Sequence, residues 1–203
     1  MTEEMSILQG KVRTALDDIA PEVVDSFASD ANAEIEQALL HAAVSLSREL
    51  PADMLEISIE RDEHPGYRSD DESGYIALPE DYLRFISLRS TLFAGNVTEL
   101  MEPGSESEKW QRSLWSRGSA TKPKVMIDGD NDARSVLRYW PGKDGGTVTM
   151  LFYVKMPKKE DGRLVCGLRE SAEKNLVYSA CRIFLEGKKE SATAEKFAQL
   201  ATI

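Results

Sequence analysis

Residues 122–157 alternate apolar and polar side chains between clusters of Gly, Pro, Asp and Asn, a pattern no amphipathic helix shows. The stretch reads as three antiparallel strands, 125–127, 136–140 and 147–156, joined by two tight turns. Residues 128–132 supply an Asp/Asn/Gly turn, whose short polar side chains tolerate positive φ. Residues 141–146 supply the second, with Pro closing one strand and Gly-Gly opening the next. In the third strand Val148, Met150, Phe152, Val154 and Met156 form the face expected on a core. Thr147, Thr149, Tyr153 and Lys155 form the wetter face, with Leu151 as the exception. Nothing catalytic decorates this meander.

Both flanks change period. Leu8, Val12, Leu16 and Ile19 mark one apolar stripe and predict a helix over 5–20, ended by Pro21. Val23, Val24 and Phe27 are a short apolar patch, and Asp30 is a fitting N-cap for a helix over 31–50. There Ile35, Leu39, Ala42, Leu46 and Leu50 form the stripe, and Pro51 closes it. Near the other end, Ala172, Leu176, Ala180 and Ile183 form a stripe widened by Val177, Cys181 and Phe184. Gly187 is placed as that helix's C-terminal cap. Ser191 caps a last helix carrying Phe197, Leu200 and Ala201.

Between these helices the chain is extended. Leu55, Ile57 and Ile59 alternate with Glu56, Ser58 and Glu60, which predicts a strand over 54–60. Residues 61–73 read as an exposed polar loop, 75–78 as an extended piece, 79–82 as a turn and 85–93 as a strand. Residues 105–115 suit a short helix or a mobile loop, and 158–163 a charged linker. Helices, then strands, then helices predict an α+β protein. Its N- and C-terminal helices, 1–52 and 164–203, would form one bundle, and 53–163 would be an inserted antiparallel β-sheet or sandwich domain.

Charge and chemistry narrow the function. The net charge is −10, and tight nucleic-acid binding needs cations to neutralise phosphates. An acidic chain suits a protein–protein component, or a surface past which nucleic acid slides. No apolar run approaches the roughly 20 residues of a membrane span. The first residues lack a secretory pattern, and two cysteines make no disulfide framework. These features fit an intracellular origin.

No catalytic, cofactor or metal set can be named. His41 lies on the helix 31–50 and His64 in a polar loop, with no partner to make a nucleophile–base pair. Residues 128–132 begin like a calcium loop, but Ala133 replaces its Gly and Tyr139 its closing Glu, so a turn is expected. Lys143 follows Gly142 without the pattern of a phosphate loop, and it joins two strands. Trp110 and Trp115, among polar residues and beside Arg112 and Arg117, have the composition of interface hot spots.

One larger pattern runs through the chain. It comprises Ala77-Leu78-Pro79-Glu80-Asp81-Tyr82-Leu83-Arg84, a tryptophan-containing stretch, and Lys122-Pro123-Lys124-Val125. Leu137-Arg138-Tyr139-Trp140-Pro141, then 148–153 ending in Tyr153, and a closing helix from Glu170 to Ala180 complete it. This order resembles the head-to-tail adaptor proteins of short-tailed bacteriophages, the tail tubular protein A type, over residues 30–190. The resemblance implies a non-enzymatic ring of twelve subunits beneath the portal protein of a capsid. Such a ring extends the DNA channel, lets DNA pass without specific binding, and docks other neck or tail proteins. It implies a virion neck or tail location after assembly in the bacterial host cytoplasm, with no membrane and no cofactor.

The interface residues expected are Trp110, Trp115, Phe197 and Leu200. The alternative is a non-enzymatic module that binds a ligand or protein on the β region. A hydrolase using the acidic residues of 60–73 ranks last, because no base, nucleophile or complete ligand set accompanies them.

Overall fold

The computed structural model describes residues 1–19, 21, 31–111, 113, 115–129, 135–145 and 147–201. The helices are α1 Met5–Ile19, α2 Ala31–Glu49, α3 Glu106–Trp110, α4 Glu173–Gly187 and α5 Ser191–Ala201. The strands are β1 Thr2–Glu4, β2 Ser58–Asp62, β3 Gly66–Arg68, β4 Ser73–Ala77, β5 Tyr82–Ser90 and β6 Lys124–Gly129. They continue with β7 Ser135–Trp140, β8 Thr149–Lys155, β9 Lys158–Glu160 and β10 Arg163–Val165. The protein is α+β, as its helix–strand–helix order predicts. The chain forms two compact units, one of Met1–Glu56 with Val154–Ile203, the other of Ile57–Tyr153.

In the first unit α1, α2 and α5 all pack on α4. The predicted stripes are its core: Leu8, Val12 and Leu16 from α1, Ile35, Leu39, Ala42 and Leu46 from α2, and Leu176, Ala180, Cys181 and Phe184 from α4. Ile183 is only half-buried, and Leu185 takes the inward position instead. Lys11 links β1 to α4 by ion pairs of 2.6 Å to both Glu3 and Glu173. Val23, Val24, Phe27 and Asp30 lie outside the described residues.

Two local readings are corrected in this unit. Residues 158–163 are no linker. β9 and β10 pair antiparallel around Asp161 and Gly162, and β10 pairs with β1. Asp161 and Gly162 both have positive φ, 49° and 75°, the backbone a two-residue hairpin turn requires. At the end of α4 the left-handed residue is Lys189, φ 66°, and Gly187 lies inside the helix. The Lys189 N–H donates to the Glu186 carbonyl at 3.1 Å and the Glu190 N–H to the Leu185 carbonyl at 3.0 Å. That is a Schellman ending, shifted two residues beyond the glycine. α5 starts at Ser191 itself, and the Glu190 carbonyl accepts from the Ala194 N–H at 3.0 Å.

The second unit holds two sheets, ordered β2-β8-β5 and β3-β4-β7-β6. Ile76, Leu88, Val97, Val125, Leu137, Tyr139, Leu151 and Tyr153 form its shared core. β6 and β7 make the expected hairpin, but β8 leaves them and pairs with β2 in the other sheet. The turn after β7 is pressed against the β3–β4 hairpin. The Gly142 N–H donates to the Glu72 carbonyl at 2.7 Å, and a Cβ on Gly142 would meet Gly74 N at 2.1 Å.

Over Thr149–Tyr153 the buried face of β8 is the reverse of that expected, while Val154 is buried as expected. Thr149, Leu151 and Tyr153 are buried, while Met150 and Phe152 are half-exposed. The hydroxyl tips find partners, Tyr139 Oη with Thr149 Oγ1 at 3.3 Å and Tyr153 Oη donating to Asp81 Oδ1 at 2.9 Å. Satisfied hydroxyls bury with little penalty. The alternation of 54–60 is also split. Leu55 is buried and bridges Leu168 in the first unit, whereas Ile57 and Ile59 point outward. Residues 61–73 are no simple loop, since they complete β2, build β3 and open β4, with Asp71 and Ser73 buried.

Candidate interaction site

The segment from Met101 to Gly118 lies over the outer side of the four-stranded sheet. Met101 clusters with Met126 and Trp140, and its N–H donates to the Val125 carbonyl at 2.7 Å. α3 opens with Ser105 as N-cap, its hydroxyl accepting from the Glu108 N–H at 3.4 Å. The Glu108 carboxylate reaches back to the Gly104 N–H at 2.6 Å. The arrangement is close to a capping box, and it opens the short helix Glu106–Trp110 within the stretch 105–115.

Gln111 pins that loop from below. It is 2% exposed, its Oε1 accepts from the Gly118 N–H at 2.7 Å, and its Nε2 donates to the Ser107 carbonyl at 2.7 Å. Only glycine fits at 118, because a Cβ there would stand 2.7 Å from the Trp140 carbonyl oxygen. Arg117 adds an ion pair to Glu72 at 2.6 Å. Beneath lies Arg138, which ion-pairs with Asp71 and donates to Ser73 Oγ at 3.0 Å. Its guanidinium also sits 4.9 Å from the Trp140 ring centroid, a distance at which the ring face attracts a cation.

The two tryptophans are excluded from this packing. Trp110 is 55% and Trp115 97% exposed. Segment 109–124 also carries Lys109, Arg112, Arg117, Lys122 and Lys124 and no acidic residue, so it is +5 in a chain of −10. Exposed indoles beside cationic side chains have the chemistry of interface anchors.

The other two expected contact residues share α5 in the first unit. Leu200 is 47% exposed, but Phe197 is completely buried, its ring 6.1 Å from that of Tyr178. Phe197 is therefore a core residue, since an amphipathic stripe marks the buried face as readily as a binding face. Sequence reasoning missed Gln111, although its partners Ser107 and Gly118 are close in the chain, and met Arg138 only within a motif, because its partners Asp71 and Ser73 lie far back in the sequence.

The remaining candidates are unremarkable in chemistry. His41 and His64 are exposed. Cys166 and Cys181 are buried, and burial pushes both thiols up, Cys181 to about 12. Asp128 ion-pairs with Arg138 at 3.4 Å, while Asp130 and Asp132 lie outside the described residues. Among the described residues no group of three or more His, Cys, Asp or Glu is placed to hold a metal. Among them, too, no helix is long and apolar enough to cross a membrane.

No curated protein matches the chain. The family model described as SU10 adaptor protein matches residues 5–202. The chain thus belongs to that family of phage adaptors, and both terminal helices, beyond the reach of the motif pattern in 30–190, fall within the match.

Proposed function

We propose that this SU10-family adaptor is a non-enzymatic structural component of the virion neck. Copies form a ring, of twelve subunits in this reading, beneath the portal protein. The ring extends the DNA channel and docks other neck or tail proteins, having been assembled in the host cytoplasm. The family match over residues 5–202 carries the reading. Physical chemistry supports it. Head-to-tail contacts close into rings when the rotation between copies allows, and a chain of −10 offers passing DNA a repelling surface.

The test is native mass, measured alone and after mixing with portal rings from the same virus. A stoichiometric ring on the portal is the expected result. A chain that ignores the portal would overturn the docking claim. The second reading, a ligand- or protein-binding module on the β region, draws on the exposure of Trp110 and Trp115. Quenching of their fluorescence by a ligand added to the monomer would favour it.

A further inference from the structure

We infer that the cationic tryptophan loop of one copy docks on the β2 edge of a second copy. The inference rests on the ring reading above and names the two patches that meet. A head-to-tail ring needs two different, complementary surfaces on every chain. Two such surfaces occur within the unit Ile57–Tyr153.

The first surface is the loop. Trp110 and Trp115 project from it, and Lys109, Lys122 and Lys124 are exposed without an ion-pair partner among the described residues. With segment 109–124 at +5, the rest of the chain stands at −15. Two copies of the loop repel each other, so a self-complementary twofold contact through it is disfavoured. Its complement within the protein is acidic and apolar.

The second surface has that character. β2 is an edge strand of its sheet, so one row of its backbone groups is open to a partner. Ile57 is 40% and Ile59 59% exposed, and Ile59 lies opposite the half-exposed Phe152. Residues 57–63 contain Glu60, Asp62 and Glu63 against Arg61 alone. Glu63 meets Arg61 at 3.0 Å, but both are more than half exposed, so that pair is weak and exchangeable. The eight exposed large apolar side chains described include Ile57, Ile59, Trp110 and Trp115. Half of the exposed apolar anchors thus fall in two patches of opposite charge. Duplex DNA, the competing polyanion, matches the lysines but offers two indoles no apolar receptor.

Charge reversal tests the contact, because all four residues changed are exposed and the monomer keeps its circular-dichroism signal. Lys122→Glu with Lys124→Glu is expected to weaken ring formation on the portal about tenfold, as is Glu60→Lys with Glu63→Lys. Combining all four restores it. Trp115→Cys and Ile59→Cys introduced together in every chain should cross-link neighbouring copies into a ladder under mild oxidation. Rings that form equally well in each reversal variant, with no ladder, would overturn this contact and leave the ring reading intact. A wild-type chain that forms no ring removes both. Duplex DNA quenching Trp115 in the wild type but not in the lysine variant, with assembly unchanged, would assign the loop to DNA and overturn the inference.

Discussion

Gln111 and Gly118 are joined across the tryptophan loop, the buried side-chain carbonyl of one accepting the backbone N–H of the other at 2.7 Å. With its second bond, to the Ser107 carbonyl, one amide fixes both limbs of the segment that presents Trp110 and Trp115. Removing such a side chain leaves buried backbone groups without partners.

Gln111→Ala should therefore destabilise the second unit by about 1–3 kcal/mol. Amide exchange over 107–118 should accelerate, and Trp115 fluorescence anisotropy should fall. Unchanged exchange in that segment would show that Gln111 does not hold the loop. Gln111→Glu, which at neutral pH accepts from Gly118 but cannot donate to Ser107, should fall between the two.

Exposure separates the four residues first expected at an interface. Trp110→Ala with Trp115→Ala should weaken assembly with little loss of monomer stability, because neither ring is in a core. Phe197→Ala should do the opposite and cost about 3–5 kcal/mol, the usual penalty for emptying a buried aromatic site. Denaturant unfolding alongside native mass distinguishes them. Loss of the folded circular-dichroism signal in the double tryptophan variant would place those rings in the core.

The end of α4 yields paired substitutions. Lys189 holds a left-handed backbone at φ 66°, which an L side chain resists. Lys189→Gly should gain about 0.5–1 kcal/mol, the relief being partly offset by a looser unfolded chain. Gly187 is helical, and a Cβ there meets nothing within 4 Å. Gly187→Ala should accordingly stabilise by up to about 1 kcal/mol. A fall in melting temperature with Gly187→Ala would restore the glycine as the cap.

Alkaline pH should loosen the second unit. Burial pushes the Tyr153 hydroxyl up to about 12, and its hydrogen bond to Asp81 adds to the rise. Burial also pushes Tyr82, stacked on Tyr153 at a centroid distance of 6.0 Å, to about 12. The unfolded tyrosines lose their protons near 10. The stability linked to the neutral forms is thus complete below pH 10 and disappears as pH rises through 12. Tyr153→Phe should lower stability at pH 8, through the lost bond to Asp81, yet flatten the decline between pH 10 and 12. An equally steep decline in that variant would assign the transition to other groups.

The α+β class, the core stripes of α1, α2 and α4, and the existence of most strands were legible along the chain. These depend on periods carried within a dozen neighbouring residues, such as Leu8-Val12-Leu16 or Ile35-Leu39-Ala42. The family pattern was legible for the same reason, as short motifs in a fixed order. Packing set which partner β8 takes, which side of Thr149–Tyr153 is buried, and that Phe197 is inside while Trp115 is outside. A period of two defines two faces without saying which is inward. The answer lay with Asp81 and Tyr139, which reach the hydroxyls of Tyr153 and Thr149 only after the chain has folded back. Burial of a polar tip is decided by the partner it meets, and that partner is set by packing rather than by neighbours along the chain.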